Sequence, residues 1–560
     1  MESEAASTTA QQQNTENATK PPSEVSAQTS SLAPATAADS APAADANETV
    51  QVDSRSTSNR GGKKGGKRAR DGQQSKNPDM RPKRGRTDWG PRTKREGEGE
   101  GNKEPRRPKR KAACLIGYCG TGYHGMQLNP PQKTIEGDLF DALVKAGAIS
   151  KDNSDDPKKV GFMRAARTDK GVHAAGNVIS AKLIIEDEDI VEKINSHLPE
   201  QIRVWGITRT TNGFDCHKHC GSRIYEYLIP SFSFLPPRPT SLFGKRIKEM
   251  EEKYPGGRRK DPEGEAFWAR VSAKLAEAGI TQEHVLEDYA RMLRQTANIP
   301  RESGDKRTDR GSDDELDAQP LTEEQMEIFN RIRAIEDRER RAFRISLDRL
   351  ELVRKAVKVY EGSHNFHNFT LKKEYTDPSA RRYMKNLSVS RPHLIEGTEW
   401  ISIKIHGQSF MLHQIRKMVC MAAQAVRAGT PISRIKESFY KQKLNIPKAP
   451  ALGLLLERPM YDGINERLQS YGRGELTFDP YNEQIEAFKQ KYIYDKIYAV
   501  ELRENTFYSF FNFIDSFKGG HAMDFFTAKG EEDDTAESEV FLDEEDKEEL
   551  LSGDEADREG

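Results

Sequence analysis

The sequence lacks any run of about 18 uninterrupted apolar residues, the length that a membrane-spanning helix needs. The first residues also lack the apolar segment of a secretory signal. Cysteine is scarce: the five cysteines are an odd number and are widely scattered, so they give no disulfide framework and favour a reducing compartment. These absences argue against a membrane protein or a disulfide-stabilised secreted domain, and they predict a soluble intracellular protein.

Apolar residues are also few, because hydrophobic types make up 35% of the chain and charged types 32%. A sizeable part of the sequence must therefore lie outside any core. The net charge of −1 conceals an uneven distribution, since residues 55–111 are strongly basic and residues 531–560 are almost wholly acidic. Residues 1–54 contain few aromatic or branched side chains, so burial cannot offset the entropy lost on ordering. We expect both ends of the chain to be disordered.

Three clusters of Lys and Arg lie in the basic region, at residues 61–70, 81–86 and 106–111. Mobile cations suit either a nuclear-import signal or an arm for RNA phosphates, and import is the preferred interpretation. A solvated tail without a role is the third alternative. The first cluster begins like a phosphate-binding loop, but Arg68 replaces the Ser or Thr that would hold magnesium, so no nucleotide site is predicted there.

A glycine pattern, Gly120-x-Gly122-x-x-Gly125, follows a strand predicted at Ala113–Tyr118 and matches a dinucleotide-binding fingerprint. A helix should begin at this point, but Asn129-Pro130-Pro131 follows instead. The pattern therefore predicts a turn rather than a nucleotide site. Tyr123 and Gln127 in this turn are candidate supports of an active site, and Thr134 is the predicted N-cap of the next helix.

The stretch with the clearest chemical content is Arg164–Gly176, which holds Asp169 on a glycine-containing turn before an apolar run. The neighbouring cations Arg167 and Lys170 favour the ionised form of Asp169, which can accept a proton or attack carbon. From spacing alone, a surface turn whose Asp caps nearby backbone groups is the commoner interpretation.

The residues Arg167-Thr168-Asp169, followed by Gly171-Val172-His173-Ala174, resemble the signature of the TruA-type tRNA pseudouridine synthases, most closely their eukaryotic, fungal branch. Further motifs follow in the order of that family. They are Arg223-x-Tyr225-x-Tyr227, Gly362-x-His364-x-Phe366, Phe410-x-x-His413-x-x-Arg416 and a closing strand within Lys448–Leu456. The resemblance covers about residues 112–240 and 345–460.

The resemblance implies an α+β protein with the pseudouridine synthase fold, in which two α/β halves with mixed, mostly antiparallel sheets meet at a central catalytic cleft. The expected organisation is a disordered basic region at 1–111, an N-terminal catalytic half at 112–241, a charged and partly helical insertion at 242–344, a C-terminal catalytic half at 345–460, a helical extension at 461–529 and an acidic disordered tail at 530–560. The extension is expected to pack against the core or across RNA.

The resemblance also assigns roles to individual residues. Asp169 is implied as the catalytic nucleophile, Arg416 as its partner, and Tyr225 as the ring on which the target base stacks and as a general base. Arg167, Lys170, His173 and Tyr225 are the expected RNA-binding residues.

Periodicity alone gives different roles to two of these residues. A helix with apolar residues from Leu412 to Val419 leaves Arg416 as a surface cation. Strand alternation places Tyr225 and Tyr227 on one face as core aromatics.

Four side chains suit zinc by type: Cys216, His217, His219 and Cys220. Four ligands within five residues on an extended segment do not converge on one ion unless the segment folds back. The resemblance to fungal members of the family, which are associated with zinc, nevertheless keeps a structural zinc as an alternative. The expected chemistry requires no cofactor.

The predicted function is isomerisation of specific uridines to pseudouridine in tRNA, with snRNA and mRNA as further substrates. We expect a monomer in the nucleus, with the mitochondrion as the alternative, and neither a membrane nor a nucleotide cofactor as partner. A non-catalytic RNA-binding protein or chaperone on the same scaffold is the competing interpretation. A glycoside hydrolase is disfavoured because it needs two carboxylates and only Asp169 lies in a motif.

Overall fold

The structure, a computed structural model, describes residues 107–281, 289, 322–517 and 523–530. The predicted disorder of the first 106 residues, the first two basic clusters and the acidic tail from residue 531 lie outside the described residues. Within the described ranges, no helix has both the length and the apolar character of a membrane span.

Ten strands of the described residues form one mixed sheet. They are β1 (Arg110–Tyr118), β2 (Met163–Arg164), β3 (His173–Leu183), β4 (Ile202–Arg209), β5 (Ser222–Pro230), β6 (Gly362–Asn365), β7 (Arg381–Val389), β8 (His393–Ile395), β9 (Thr398–Gly407) and β10 (Leu454–Met460). Their order across the sheet is β4-β1-β3-β10-β5-β9-β7-β6, with β2 paired to β3 and β8 to β9.

Eleven α-helices lie within the described residues. They are α1 (Ile135–Lys145), α2 (Ile190–Ser196), α3 (Leu242–Lys253), α4 (Pro262–Glu277), α5 (Glu323–Ala342), α6 (Leu347–Lys358), α7 (Gln414–Arg427), α8 (Asp462–Ser470), α9 (Asn482–Phe488), α10 (Asp495–Glu504) and α11 (Thr506–Asp515). A π-helical turn at Lys489–Tyr494 joins α9 to α10.

The sheet is continuous across the two predicted halves because strands of the two halves alternate at its centre, in the order β3-β10-β5-β9. Strand β10 of the C-terminal half lies between two strands of the N-terminal half. It pairs in parallel with β3, where Leu455 lies opposite His173, and antiparallel with β5, where Leu456 lies opposite Tyr225. The other strand pairs of the sheet are antiparallel. The expected α+β fold with a mixed, mostly antiparallel sheet is confirmed. Since neighbouring strands lie about 4.8 Å apart, the start of β3 and the middle of β5, at Tyr225, are held about 10 Å apart on either side of β10.

Local sequence explains where the first helix of the N-terminal half begins. The predicted N-cap is confirmed, since Thr134 Oγ1 accepts a hydrogen bond from the Gly137 amide at 3.3 Å. The predicted end of the basic region at residue 111 is slightly late, because β1 already begins at Arg110. The third basic cluster therefore ends inside the sheet rather than in a free arm.

The insertion contributes helices that pack on the catalytic halves. Helix α4 ends at Glu277, two residues before Gly279, which adopts a φ of +78°. At the start of α4, Glu263 Oε2 accepts a hydrogen bond from Arg349 Nε of α6 at 2.7 Å. This contact ties the insertion to the C-terminal half.

The described part of the helical extension packs against the core, as one of the two predictions has it. Its position relative to RNA stays a prediction. The ring of Phe507 in α11 meets the rings of Trp400 and Tyr227 edge to face, with centroids 6.0 and 6.3 Å apart. Asp515 at the end of α11 accepts two hydrogen bonds from Arg427 of α7, at 2.9 and 2.6 Å. Both partners of this pair are buried, so the extension is part of the folded unit.

Candidate active site

Asp169 lies in the loop 165–172 between β2 and β3, and the glycine-rich turn cradles this loop. The amide of Met126 donates to the Thr168 carbonyl at 3.0 Å. A Cβ atom at Gly125, where φ is +88°, would lie 2.7 Å from that carbonyl oxygen, and one at Gly120 would lie 2.1 Å from the Val172 oxygen. The glycines thus permit close contact between two backbone segments, which explains the spacing that resembled a dinucleotide fingerprint.

A buried hydrogen-bond network fixes the loop from beneath. The Tyr118 hydroxyl and Thr168 Oγ1 lie 2.9 Å apart, and Asn177 Nδ2 donates to the Ala166 carbonyl at 2.9 Å. Burial raises the pKa of Tyr118 to about 12, so its hydroxyl keeps its proton at neutral pH. The network holds Ala166 and Thr168, which precede Asp169 in the loop. Asp169 is thereby presented at a defined position.

The start of α7 faces the Asp169 carboxylate. His413 is the N-cap of α7, with a φ of +58°, and its fully buried side chain places Nε2 at 3.7 Å from Asp169 Oδ2. The Asp169 side chain retains 18% of its exposure, so solvent or substrate reaches it from one side. The positive end of the helix dipole favours a negative carboxylate at this position. His413 was not predicted as a site residue, although the Phe410-x-x-His413-x-x-Arg416 motif places it one turn before Arg416.

Arg416 is buried rather than exposed, which corrects the interpretation from periodicity. Its Nε donates to the Ala449 carbonyl at 2.6 Å, and its own carbonyl accepts from the Ala449 amide at 3.2 Å. The periodicity argument failed because every residue of α7 is buried, so this helix has no solvent face. Arg416 therefore holds the segment that leads into β10. The pairing of Arg416 with Asp169 stays a prediction.

Tyr225 of β5 lies beside the loop that carries His413. Its side chain is 7% exposed, and its ring meets Phe410 edge to face with centroids 5.1 Å apart. Tyr227 is fully buried, and its hydroxyl donates to the Pro450 carbonyl at 2.7 Å. The core interpretation therefore holds for both rings, and Tyr225 also packs against the half-buried Phe410 near the site. Phe410 was a further residue that sequence analysis did not single out.

Three predicted RNA-binding residues occupy different environments. Arg167 and Lys170 are exposed on either side of Asp169, as an RNA contact requires. His173 is fully buried at the start of β3, and its Nδ1 accepts from the Gly120 amide at 3.2 Å. Burial lowers the pKa of His173 to about 4, so the imidazole is neutral. The expected contact of His173 with RNA is wrong for this position, because the side chain braces the glycine turn.

The four candidate zinc ligands bond to separate backbone groups. Cys216 and Cys220 donate to the carbonyls of Met163 and Ser222, at 3.2 and 3.3 Å. Burial raises the pKa of both thiols, to about 12 for Cys216, whereas zinc binds the thiolate. His217 Nδ1 lies 3.3 Å from the Ala165 carbonyl oxygen, and His219 Nδ1 lies 2.9 Å from the Asp215 carbonyl oxygen.

These contacts do not fit a shared metal ion. No group of three or more His, Cys, Asp or Glu side chains in the described ranges is arranged to hold one.

Comparison of the sequence with known proteins shows the family to which the chain belongs. A family model described as tRNA pseudouridine synthase matches residues 356–462. The chain is 55% identical to tRNA pseudouridine synthase 1 of Yarrowia lipolytica, over 76% of this chain and 78% of that protein. It is 49% identical to tRNA pseudouridine synthase 1 of Saccharomyces cerevisiae, over 74% of this chain and 73% of that protein.

The chain belongs to the TruA-type tRNA pseudouridine synthase family. It is also 37% identical to the tRNA pseudouridine(27/28) synthase of Saccharomyces cerevisiae, over 71% of this chain and 96% of that protein. The synthase is thus an isomerase of tRNA uridines, and the predictions of family, enzyme class and tRNA modification are confirmed. The action on snRNA and mRNA and the nuclear location stay predictions.

Proposed function

We propose that Asp169 is the carboxylate that carries the conversion of uridine to pseudouridine in tRNA, with Arg416 as its charge partner and Tyr225 as the stacking platform for the base. The observation that carries this proposal is the 3.7 Å separation between His413 Nε2 and Asp169 Oδ2. It brings the first turn of α7 against the signature loop. Arg416 follows His413 by three residues, a spacing at which helical side chains are neighbours.

The net reaction is an isomerisation without a redox step. The bond from ribose C1′ to uracil N1 breaks, the base rotates, and a bond from C1′ to C5 forms. The C5 proton leaves, and N1 gains a proton. A carboxylate can attack C1′, remove a 2′ proton or stabilise a cation-like sugar, and each role needs the ionised form. In this proposal the positive end of the α7 helix dipole and the cation of Arg416 lie towards the negative charge that these roles need.

The target nucleotide must leave its stack before a carboxylate in this loop reaches its sugar. The exposed Arg167 and Lys170 flank Asp169 and suit the phosphates of the displaced strand. The Tyr225 ring offers a surface for the base, and its hydroxyl is suited to accepting the C5 proton late in the reaction. Asp169, Tyr225, His413 and Arg416 all belong to one chain, which supports a site that is complete in a monomer.

The test is release of tritium from tRNA labelled at uridine C5. The proposal predicts label in water in proportion to pseudouridine formed, whereas a non-catalytic binding protein would release none.

The same assay on labelled snRNA and mRNA fragments tests the two further substrates, and sedimentation of the purified chain tests the monomer. For location, a fluorescent fusion should enter the nucleus, and replacing the cations of residues 81–86 by Gln should reduce its import.

A further inference from the structure

A basic groove lies at the opposite end of β1 from Asp169. It is a cavity of about 520 Å³ at the edge of the sheet. Six cations line it: Lys109, Arg110, Lys111, Arg209, Arg467 and Arg473. No Asp or Glu lies among the described residues that line the groove. Arg110 is partly neutralised by Glu186, whose Oε1 lies 3.2 Å from Arg110 Nε, so a strong positive charge remains.

One side chain in the groove has an unmet hydrogen-bonding need. The Nε atom of Arg473 is buried and has no acceptor within the described part of the chain. The other N–H donors of the guanidinium can bind an anionic oxygen that enters the groove. Guanidinium groups suit phosphate oxygens in particular, because their donors match phosphate geometry.

An exposed aromatic ring completes the groove. Tyr471 is 57% exposed, and the Arg467 guanidinium carbon lies 6.0 Å from the centre of its ring. An aromatic ring between cations is the arrangement that binds nucleic acid, since the cations follow the backbone and the ring stacks on a base.

The position of the groove separates it from the catalytic cleft. Lys111 lies at the start of β1, whereas Tyr118 at its end contacts Thr168, next to Asp169. At about 3.3 Å per residue, the strand spans roughly 23 Å between Lys111 and Tyr118. A phosphate in the groove therefore belongs to nucleotides distant from the target uridine.

We propose that the groove formed by Lys109–Lys111, Arg209, Arg467 and Arg473 is a second RNA-binding site, which holds the sugar–phosphate backbone of the tRNA substrate away from the target uridine. This proposal rests on the proposed function for the identity of the ligand. Binding there selects RNAs whose folded shape reaches both sites, since phosphate contacts fix register and orientation. The end of the third basic cluster thereby acts as a rigid part of the fold.

The test uses the full chain with the double variant Arg467→Gln/Arg473→Gln, whose side chains lie outside the catalytic cleft. We expect tRNA affinity at 150 mM salt to fall about tenfold or more, and the slope of log affinity against log salt to drop by about 1 to 2, as two lost phosphate contacts require. The turnover rate with saturating tRNA should stay at the wild-type value. Backbone footprinting should show loss of protection at nucleotides distant from the target uridine.

Two controls make the result specific. The variant Lys248→Gln/Lys253→Gln removes the same charge from exposed positions of α3 that do not line the groove, and it should bind tRNA like the wild type. A stem-loop of four base pairs around the target uridine is too short to reach the groove and should bind both proteins equally.

Unchanged tRNA binding by the groove variant, or an equal loss with the short stem-loop or the α3 variant, would overturn the proposal. The binding measurement does not depend on turnover. A protein that releases no tritium would refute the proposed function, but the binding test of the groove could still be interpreted.

Discussion

His413 Nε2 lies 3.7 Å from Asp169 Oδ2 and connects the N-terminal catalytic half to the start of α7. The contact depends on an unusual backbone, because His413 adopts a φ of +58°. Asn tolerates this conformation better than other side chains apart from Gly. Two substitutions at this position therefore distinguish the effect of losing the imidazole from the effect of straining the backbone.

We expect His413→Asn to lower the single-turnover rate about tenfold, which corresponds to about 1.4 kcal/mol of lost transition-state stabilisation. Its melting temperature should stay close to that of the wild type. His413→Ala should show the same loss of rate together with a lower melting temperature, because Ala is strained at positive φ. A His413→Asn enzyme with the wild-type rate would show that the imidazole does not assist Asp169.

Arg416 makes a structural contact, and the proposed function adds an electrostatic role. Its Nε donates to the buried Ala449 carbonyl at 2.6 Å, so Arg416→Ala should cost about 1 to 3 kcal/mol of folding free energy. Its turnover rate should fall at least about 100-fold, since the proposed charge partner of Asp169 is lost. Arg416→Lys keeps the charge and should retain more activity than Arg416→Ala. Equal rates for the two variants would contradict a role for the charge.

Tyr225 offers both a ring and a hydroxyl, and Tyr225→Phe separates them. If the ring alone matters, this variant keeps near-normal turnover, whereas a role of the hydroxyl in removing the C5 proton predicts a slower tritium release with unchanged binding. Tyr225→Ala also removes the stacking surface and should weaken RNA binding by about 1 to 3 kcal/mol. Single-turnover tritium release and tRNA affinity are the two measurements. Wild-type affinity and rate for Tyr225→Ala would exclude the residue from the site.

The buried His173 makes stability depend on pH. Burial lowers its pKa to about 4, below the value of about 6.5 expected in the unfolded chain. Between these values the unfolded state binds more protons, so stability is full above pH 6.5 and is lost as the pH falls towards 4. Acidification from pH 7 to pH 5 should cost about 2 kcal/mol through this group.

Urea unfolding at pH 7 and pH 5 measures this effect. His173→Gln should lower stability at pH 7 and flatten the dependence on pH, whereas His124→Gln, at an exposed position, should leave the dependence unchanged. An identical pH dependence in the wild type and His173→Gln would show that His173 does not carry it.

The order of motifs along the sequence was sufficient to predict the family and the mixed sheet, and it is the basis of the role proposed for Asp169. Local rules also predicted Thr134 as a cap, because a cap depends on neighbours in sequence. The burial of Arg416 and His173 was not predictable from periodicity, since it results from the central place of α7 and β3 in the fold. The contact between His413 and Asp169 depends on a turn at positive φ that no local pattern indicates. The insertion of β10 between β3 and β5 likewise depends on pairing between distant segments.

The most direct test of the account compares the wild type with Asp169→Asn, which removes the negative charge and nearly preserves the shape. The measurement is single-turnover tritium release from tRNA labelled at uridine C5, with tRNA affinity determined in parallel. The account predicts a fall in rate of at least about 10⁴-fold and an affinity within about threefold of the wild type. An Asp169→Asn enzyme that releases tritium within tenfold of the wild-type rate would contradict it.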